Sequence, residues 1–596
     1  MAYSRIKTLI PLPLAILLAL AVILRLIGIG YGFPLFLVND EPAIVLGALK
    51  MIELKTLIPA LHEEEFRTVL YYPPFASYVY LGALLPVLFV HYAMLGFPGP
   101  VAYADHLALD PSVVWIAARI VTILFSLVVI ALAYHLARRV TASNRAALFG
   151  AAFLSFSFFH LQVSQVVRHW MLASLFLYAA WFVALRIRES DSWKGYSAAG
   201  AFAGLAIGVN TSAAIALLPA LIAHFTKRGQ TLVRSLISSR FLAMVAFAIG
   251  IAVLATILYP YGLTRGEGAS SVSGDLGRRF ASLQTKNIGE WASFLMEYAR
   301  LLIRYEITIV IAAIIGAIAL WRKNLFFVGM LLAVVVTYIT ALYLFFNGIP
   351  RALVFLLPGF AVLAGYGADR SMNWLENHFP AYRASIFAVP LIIGVIFFAY
   401  PLALDFRYAY LFSRDDTRLV ALEWIREYIP AGSKILMDSQ YLRLPNTEEG
   451  IRWLEHIDTT SLRSQDRALL RIPNSQYPVP SFFVLNLSLL KQSAIERKEH
   501  DSRYFRSQGF QYLVVEYERA NMSDVDPATR DLLAELPLLK RITPFKPGVM
   551  LPVTVDASGE IASIGFRDFF KFDRFGQIVD VYDLTQQGSM VVRASY

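Results

Sequence analysis

Residues 113–136 read VVWIAARIVTILFSLVVIALAYHL, and this stretch decides the class of fold. Arg119 is its single charged residue. A helix needs about 20 consecutive apolar residues to cross the hydrocarbon core of a bilayer. The stretch is long enough for one crossing, so it predicts a helix that spans a membrane.

The composition of the whole chain agrees with a membrane protein. Of its 596 residues, 57% are hydrophobic and 16% are charged, and the mean hydropathy is +0.56. Soluble domains carry about 25% charged residues, so a bilayer must shelter the apolar surplus. The long apolar runs stop near residue 403. We therefore predict a mainly α, polytopic transmembrane helical bundle over residues 1–403 and a soluble domain over residues 404–596.

Further apolar runs bring the predicted bundle to about eleven spans. They are residues 9–30, 113–136, 146–163, 171–187, 196–210, 212–225, 240–259, 307–321, 325–346, 352–368 and 384–403. One more segment, residues 78–97, is hydrophobic enough to cross. Its interpretation depends on where the basic residues lie, because cytoplasmic loops collect Lys and Arg.

The basic residues between the predicted spans agree on one orientation. If residues 78–97 lie in or re-enter the outer face without crossing, all of these residues fall on the side of the N-terminus. They are Arg5, Lys7, Arg138, Arg139, Arg145, Arg186, Arg188, Lys194, Lys227, Arg228, Arg234, Arg240, Arg322 and Lys323. The sequence thus predicts a multi-pass protein of the cell membrane with a cytoplasmic N-terminus. The large first loop (residues 31–112) and the C-terminal domain are then extracytoplasmic.

Several classes of function lack support in the sequence. The net charge of +10 is accounted for by the basic loops, since no nucleic-acid-binding motif accompanies it. The chain has no cysteine, which excludes disulfides and thiol catalysis. It contains no HExxH, Walker or helix-preceding GxGxxG motif, so proteolysis, ATP hydrolysis and dinucleotide binding are unsupported. No internal repeat is evident, which weighs against a secondary transporter.

The first loop carries the most informative pattern. It opens with Asn39-Asp40-Glu41-Pro42, continues through the acidic run at residues 63–65, and reaches Tyr71-Tyr72-Pro73-Pro74-Phe75. An acidic pair just outside the first span, followed by Pro-Pro before an apolar helix, resembles the C-type glycosyltransferase superfamily. The protein mannosyltransferases and the aminoarabinose (lipid A) transferases are the most similar branches.

Further matches to this superfamily follow in the same order along the chain. They are Arg119 in the second span, SQVVRHWMLASLF at residues 164–176, the paired short spans at residues 204–224, Arg351 to Pro358, and LEWIREYIPAGSKILMD at residues 422–438. Two departures stand out. Trp170 occupies the position of an expected Asp, and Tyr72 and Asn210 stand where the superfamily often has Lys.

The resemblance implies an enzyme that moves a sugar from a polyprenyl-phosphate donor to a protein, lipid or glycan acceptor on the extracytoplasmic face. It implies that Asp40 is the general base and that Glu41 orients the acceptor or shares a metal. Asp40 or Asn39 can equally cap a helix whose first turn contains Pro42. Two carboxylates can hold Mg²⁺ or Mn²⁺, but the sequence leaves the requirement for a metal open.

The same resemblance assigns the donor phosphate to outer-face arginines, because a guanidinium binds phosphate through paired hydrogen bonds. The candidates are Arg168, Arg351 and Arg265, with His169, Tyr72 and Asn210 in supporting roles. The alternative is that an interfacial Arg snorkels to lipid headgroups, which is the role we expect for Arg25 in the first span. A lone His is more often structural.

The C-terminal domain reads as helix–turn–strand units, which predict a small α/β domain. A helix is predicted from about residue 416, in TRLVALEWIREYI, and strands are predicted in KILMD, in QYLVVEYE and in GQIVDVYDL. No catalytic signature is evident there. Two other functions stay open for the whole chain: a non-catalytic membrane scaffold, and a transporter of lipid-linked sugars.

Overall fold

The structure is a computed structural model, which describes most of the chain. The described residues are 11–38, 40–66, 69–70, 74–190, 192–226, 235–257, 287–346, 350–379, 388–457, 462–489, 502–519, 521–525, 527–549 and 566–586. The chain divides into two units. The first, called the membrane unit, comprises Met1–Ile27, Asp40–Pro86 and Ala117–Tyr408. The second, called the sheet unit, comprises Gly28–Asn39, Val87–Ile116 and Ala409–Tyr596.

In the described chain up to residue 412, the regular secondary structure is helical. Its α-helices are α1 (Leu12–Leu26), α2 (Glu41–Glu53), α3 (Glu63–Phe66), α4 (Phe75–Met94), α5 (Pro100–Leu109), α6 (Ser112–Thr141), α7 (Asn144–Ser155), α8 (Phe158–Ser164), α9 (His169–Glu189), α10 (Trp193–Val209), α11 (Leu218–Phe225), α12 (Ser239–Ile257), α13 (Ile288–Tyr305), α14 (Ile307–Trp321), α15 (Leu325–Ala341), α16 (Leu357–His378) and α17 (Ala388–Phe412). Short 3-10 helices occupy Pro59–His62, Thr211–Leu217 and Pro350–Phe355, and a π-helix occupies Leu342–Phe346.

These helices confirm the predicted multi-span bundle. In the described part of the chain, five helices are long and apolar enough to cross a membrane, or up to seven when each of two bent pairs counts as one span. Shorter apolar helices, such as α1, add to this set. The segment predicted to stay at the outer face forms α4, which itself has the length and composition of a span. That it does not cross therefore stays a prediction.

The two bent pairs are linked by one buried carboxylate. Helices α7 and α8 meet at 59°, and α13 and α14 meet at 105° with Glu306 between them. The Glu306 Oε1 atom accepts hydrogen bonds from Ser157 Oγ (2.7 Å) and from the Phe159 backbone N–H (3.0 Å). The first N–H groups of a helix lack partners within the helix, and Glu306 supplies one at the start of α8.

Close helix contacts in the membrane unit depend on glycine. A Cβ atom on Gly316 of α14 would lie 1.9 Å from the Leu363 carbonyl oxygen of α16, and one on Gly367 would lie 2.0 Å from that of Ala312. Membrane helices associate through packing of small residues, since the lipid tails are as apolar as the side chains. These glycines let the backbones of α14 and α16 touch.

The sheet unit confirms the predicted α/β domain. Its sheet has the order β2-β1-β3-β5-β4, with β1 parallel to β2 and β3, and β5 antiparallel to β3 and β4. The strands are β1 (Lys434–Asp438), β2 (Phe483–Asn486), β3 (Tyr512–Tyr517), β4 (Leu538–Ile542) and β5 (Ile578–Asp583). The remaining described helices are α18 (Thr417–Tyr428), α19 (Glu448–Ile457), α20 (Ser464–Leu469), α21 (Ser502–Ser507), α22 (Pro527–Ala534) and α23 (Phe566–Phe569), with 3-10 turns at Asn474–Gln476 and Leu487–Leu489.

Parts of the first loop belong to the sheet unit. Leu35 and Leu37 are buried in the same apolar core as strands β1 and β5. Asp105 of α5 accepts a hydrogen bond of 3.0 Å from Arg471 Nε, and this pair raises the pKa of Arg471. The sequence alone gave no role for Asp105, because its partner lies 366 residues away along the chain.

Candidate active site

The candidate base Asp40 lies at the start of α2 in an uncommon backbone conformation. Its φ of 74° and ψ of −26° are left-handed, a region that Asp and Asn tolerate better than most residues. The Asp40 side chain makes no capping hydrogen bond to its own helix. The interpretation of Asp40 as a simple side-chain cap therefore does not describe this structure.

Instead, the Asp40 carboxylate meets two arginines. Arg351 Nη2 donates a hydrogen bond to Asp40 Oδ2 at 3.1 Å, and Arg168 Nε lies 3.8 Å from the same oxygen. The side chains of Asp40 and Arg351 are 14% and 17% exposed, whereas that of Arg168 is 2% exposed. The group of Asp40, Arg168 and Arg351 is therefore mostly enclosed, but Asp40 and Arg351 remain accessible to a substrate.

Glu41 points away from this group, into a buried ion pair. Its two carboxylate oxygens accept hydrogen bonds from Arg119 Nε (2.9 Å) and Nη2 (2.7 Å), and Oε1 also accepts one from the Val167 backbone N–H (2.8 Å). Both side chains are almost fully buried. Glu41 therefore ties the start of α2 to α6 and to the segment that carries Arg168. Its predicted role beside an acceptor or a metal stays a prediction.

The segment after α8 explains the missing carboxylate. Arg168 occupies the N-cap position of α9 in extended conformation. Trp170, where the superfamily has Asp, is buried, with its ring centroid 4.9 Å from that of His169 and 5.2 Å from that of Phe355. An apolar contact replaces the expected carboxylate. His169 is buried in the same group; it follows Arg168 in sequence and lies close enough to Asp40, Arg351 and Arg168 to interact with their charges.

Of the remaining predicted site residues, the structure describes Asn210 but not Arg265 or Tyr72. Asn210 caps the 3-10 helix at Thr211, since its Oδ1 accepts hydrogen bonds from the Ser212 N–H and Oγ groups. Arg265 and Tyr72 lie outside the described residues. Within the described ranges, no group of three or more His, Asp or Glu side chains is arranged to hold a metal ion.

Arg25 does not behave as we expected. The prediction that it snorkels to headgroups is wrong, because the side chain is fully buried in the membrane unit. Its guanidinium donates to the backbone oxygens of Ala21 (3.1 Å) and Ser155 (3.2 Å), and lies 2.9 Å from His160 Nδ1. Backbone carbonyls and His160 provide partners for the two terminal nitrogens inside the bundle, so the side chain does not extend to the interface.

Helix α9 separates the candidate site from the basic loops. It begins after Arg168 and ends at Glu189, which pairs with Arg139 at the end of α6. At about 1.5 Å per residue, this helix is about 30 Å long, which is the thickness of the hydrocarbon core. Arg119, near the start of α6, pairs with Glu41 at the site. Both helices therefore place the site and the basic loops at opposite ends of the membrane unit.

Comparisons with known proteins confirm the superfamily resemblance. The model of the dolichyl-phosphate-mannose-protein mannosyltransferase family matches residues 112–259, which include Arg119, Arg168 and Asn210. No curated protein matches the chain by sequence.

The solved structures that are similar to the chain include an oligosaccharyltransferase and two states of one ArnT. One is an oligosaccharyltransferase from Archaeoglobus fulgidus in complex with Zn and sulfate, with 13% identity and a TM-score of 0.41 over 85% of this chain and 68% of that chain. Another is ArnT from Cupriavidus metallidurans bound to undecaprenyl phosphate, with 12% identity and a TM-score of 0.44 over 95% of this chain and 97% of that chain. The apo state of the same ArnT has 12% identity and a TM-score of 0.40 over 97% and 99%.

Proposed function

We propose that this protein is a C-type membrane glycosyltransferase that moves a sugar from a polyprenyl-phosphate donor to an acceptor on the extracytoplasmic face. The observation that carries the proposal is the contact between Asp40 and the two arginines Arg351 and Arg168. The superfamily resemblance implies base and phosphate-binding roles for the same three residues. The match of the mannosyltransferase family model over residues 112–259 supports the same chemistry.

In the proposed reaction, Asp40 removes the proton from the acceptor hydroxyl or amine. The acceptor oxygen or nitrogen then bonds to the anomeric carbon as the bond from that carbon to the phosphate oxygen breaks. Proton transfer by a positioned base contributes about 10²- to 10⁴-fold to such a step. The carboxylate is suited to this role because it is partly exposed and its side chain is not used as a helix cap.

The arginines Arg168 and Arg351 would bind the donor phosphate and stabilise the charge that develops on it as it leaves. The Asp40 carboxylate contacts both guanidinium groups, and its single negative charge leaves this group of three side chains with a net positive charge. A phosphate that engages the guanidinium forks competes with Asp40 for them. Donor binding would thus free the Asp40 carboxylate to take the proton of the sugar acceptor once the donor is in place.

The orientation follows from the basic loops. The arginines at the far ends of α6 and α9 would face the cytoplasm, as the positive-inside rule requires. The candidate site at the other ends of these helices, and the sheet unit, would then be extracytoplasmic.

The test is transfer of labelled sugar by purified wild type and by Asp40→Asn, with a panel of polyprenyl-phosphate sugars and a matched envelope extract as the source of acceptor. We expect Asp40→Asn to bind the donor and to lose at least about a hundredfold in turnover. Asp369→Asn is the matched control, since Asp369 also pairs with an arginine, Arg145, but at the opposite end of the unit. It should retain activity.

Three outcomes separate the alternatives. Loss of transfer in Asp40→Asn alone supports both the enzyme and the base. Equal turnover in all three proteins leaves the glycosyltransferase in place and removes Asp40 as its base. Donor binding without consumption by the wild type, across the panel, would favour the non-catalytic scaffold.

A further inference from the structure

The junction that carries Arg351 is an unusual break in a helix. Arg351 lies in the 3-10 helix Pro350–Phe355, which is followed directly by α16 (Leu357–His378). Pro358 in the first turn of α16 has no N–H, so it cannot bond to the carbonyl four residues earlier. The next potential helical bond would join the Gly359 N–H to the Phe355 carbonyl.

The hydroxyl of Tyr178 occupies the place of that bond. Tyr178 Oη donates to the Phe355 carbonyl oxygen at 2.7 Å and accepts from the Gly359 N–H at 3.0 Å. Side chains inserted into the backbone ladder are one of the few causes of a sharp helix bend. A Cβ on Gly359 would lie 2.7 Å from Leu331 Cδ1 and 3.4 Å from Tyr178 Oη, so a glycine at this position leaves room for the insertion.

A second hydroxyl holds the other end of the same turn. Tyr338 Oη donates to the Ala352 carbonyl oxygen at 3.2 Å. Both tyrosine side chains are buried, Tyr178 on α9 and Tyr338 on α15. The ring of Phe355 packs on Trp170, two residues after Arg168. The turn that carries one candidate phosphate ligand is thus fixed to the helix that begins next to the other.

We propose that Tyr178 is a positioning residue that aims Arg351 at the donor phosphate. Without the inserted hydroxyl, the Phe355 carbonyl and the Gly359 N–H lose the partner that ties this turn to α9, and the 3-10 helix that carries Arg351 can shift. The guanidinium would then rotate away from Asp40. This inference rests on the proposed function, because it takes Arg351 to be a phosphate ligand.

The test measures the Kd for undecaprenyl phosphate in detergent for wild type, Tyr178→Phe, Arg351→Gln and the double variant. We expect Tyr178→Phe to weaken binding by about tenfold and Arg351→Gln to weaken it at least as much. The double variant should bind no more weakly than Arg351→Gln alone, because Tyr178 acts through Arg351. A general loss of packing would lower the unfolding temperature without producing this coupling.

The control is Tyr196→Phe, which also removes a buried tyrosine hydroxyl. Tyr196 Oη forms a hydrogen bond of 2.7 Å with His224 Nδ1, which joins α10 to α11, and this variant should bind as the wild type does. If Tyr178→Phe does not fold, Tyr338→Phe, which frees the Ala352 carbonyl in the same turn, should give the same result.

The outcomes distinguish this inference from the function on which it rests. Wild-type affinity in Tyr178→Phe, together with weak binding by Arg351→Gln, would overturn the positioning role and leave the proposed function intact. Additive losses in the double variant would also overturn it. Unchanged affinity in Arg351→Gln would remove the phosphate role of Arg351, and the inference with it.

Discussion

At the scale of single residues, the candidate site depends on the fact that two consecutive carboxylates, Asp40 and Glu41, pair with different arginines. Most N-cap residues are extended and turn their side chains back onto the helix. Asp40 is left-handed, and its carboxylate meets Arg351 and Arg168. Glu41, the next residue, is committed to Arg119. Glu41 therefore holds the backbone that presents Asp40, and the Asp40 carboxylate is the one for which we propose the role of base.

The buried pair of Glu41 and Arg119 predicts that the single substitution Glu41→Gln strongly destabilises the protein. Glu41→Gln leaves the buried guanidinium opposite a neutral amide, and removing one partner of a buried pair costs about 3–5 kcal/mol. Thermal unfolding in detergent should show a clear loss of stability. Glu53→Gln, which breaks an exposed pair with Lys50, should have little effect. Equal unfolding temperatures for the two variants would contradict a structural role for Glu41.

Arg443 of the sheet unit predicts a stabilising substitution. Burial, and secondly the positive charge of Arg463, lower the pKa of Arg443 to about 10. A base whose pKa is lowered by folding destabilises the folded state while it is protonated, so this penalty is fully present below about pH 10 and is relieved only above it. Arg443→Met should therefore raise the unfolding temperature at neutral pH.

The control for that substitution is Arg452→Met, at a side chain that is 60% exposed and pairs with Glu448 on the same helix. Surface pairs of this kind contribute little, so its unfolding temperature should stay near that of the wild type. A lower unfolding temperature in Arg443→Met would mean that the packing of its aliphatic stem outweighs the burial of its charge.

At the scale of elements, the helix breaks and the glycine contacts shape the membrane unit. Apolar runs predict that helices form, but they do not reveal where one bends. The bends at Ser157 and Glu306 are stabilised by two hydrogen bonds, from Ser157 Oγ and the Phe159 N–H to Glu306 Oε1, which join the two bent helix pairs. The turn at Arg351 is stabilised by Tyr178. In each case the group that satisfies the broken backbone comes from a distant part of the chain.

The contact between α14 and α16 predicts different results for two Gly→Ala changes. In Gly367→Ala the new Cβ would meet the Ala312 carbonyl at 2.0 Å, and relieving such overpacking costs about 1–3 kcal/mol. Gly329→Ala on α15 meets no atom within 4 Å, and Ala favours a helix over Gly. The first variant should lower the unfolding temperature in detergent and the second should not; the reverse order would refute backbone contact at Gly367.

At the scale of the whole molecule, the charges and the site define two opposite ends of the membrane unit. Arg139 pairs with Glu189, and Arg145 pairs with Asp369, so the predicted cytoplasmic loops meet at one end. Asp40, Arg168 and Arg351 meet at the other. Helices α6 and α9 run from one end to the other, and the length of α9 is about the thickness of the hydrocarbon core of a bilayer.

The absence of cysteine makes the orientation simple to test. Single Ser523→Cys, Ala60→Cys and Gly99→Cys variants should react with a membrane-impermeant maleimide in intact cells, because all three residues are exposed and predicted to be outside. Ser190→Cys should react only after permeabilisation. If Ala60→Cys and Gly99→Cys label from opposite sides, then α4 crosses the membrane and the predicted topology fails.

Much of the fold could be read from composition and order alone. A long apolar run that contacts lipid forms a helix, because every backbone N–H and C=O group then has a hydrogen-bond partner within the same segment. Helices form in the predicted spans, and the strands β1, β3 and β5 lie where they were predicted. The single span predicted at residues 146–163 needs a correction, because it is two helices that meet at 59°, with Glu306 bound at the bend. Candidate residues such as Asp40, Arg168 and Arg351 were also found from motifs, since each motif is local in sequence.

Only the tertiary structure decided how these residues are paired. The sequence could not show that Glu41 is committed to Arg119, that Arg25 is satisfied inside the bundle, or that Tyr178 replaces a backbone bond beside Arg351. Each of these contacts joins residues that are 78 to 177 positions apart. Local patterns determine which segments enter the membrane, whereas the partner of a buried polar group is set by which helices pack together.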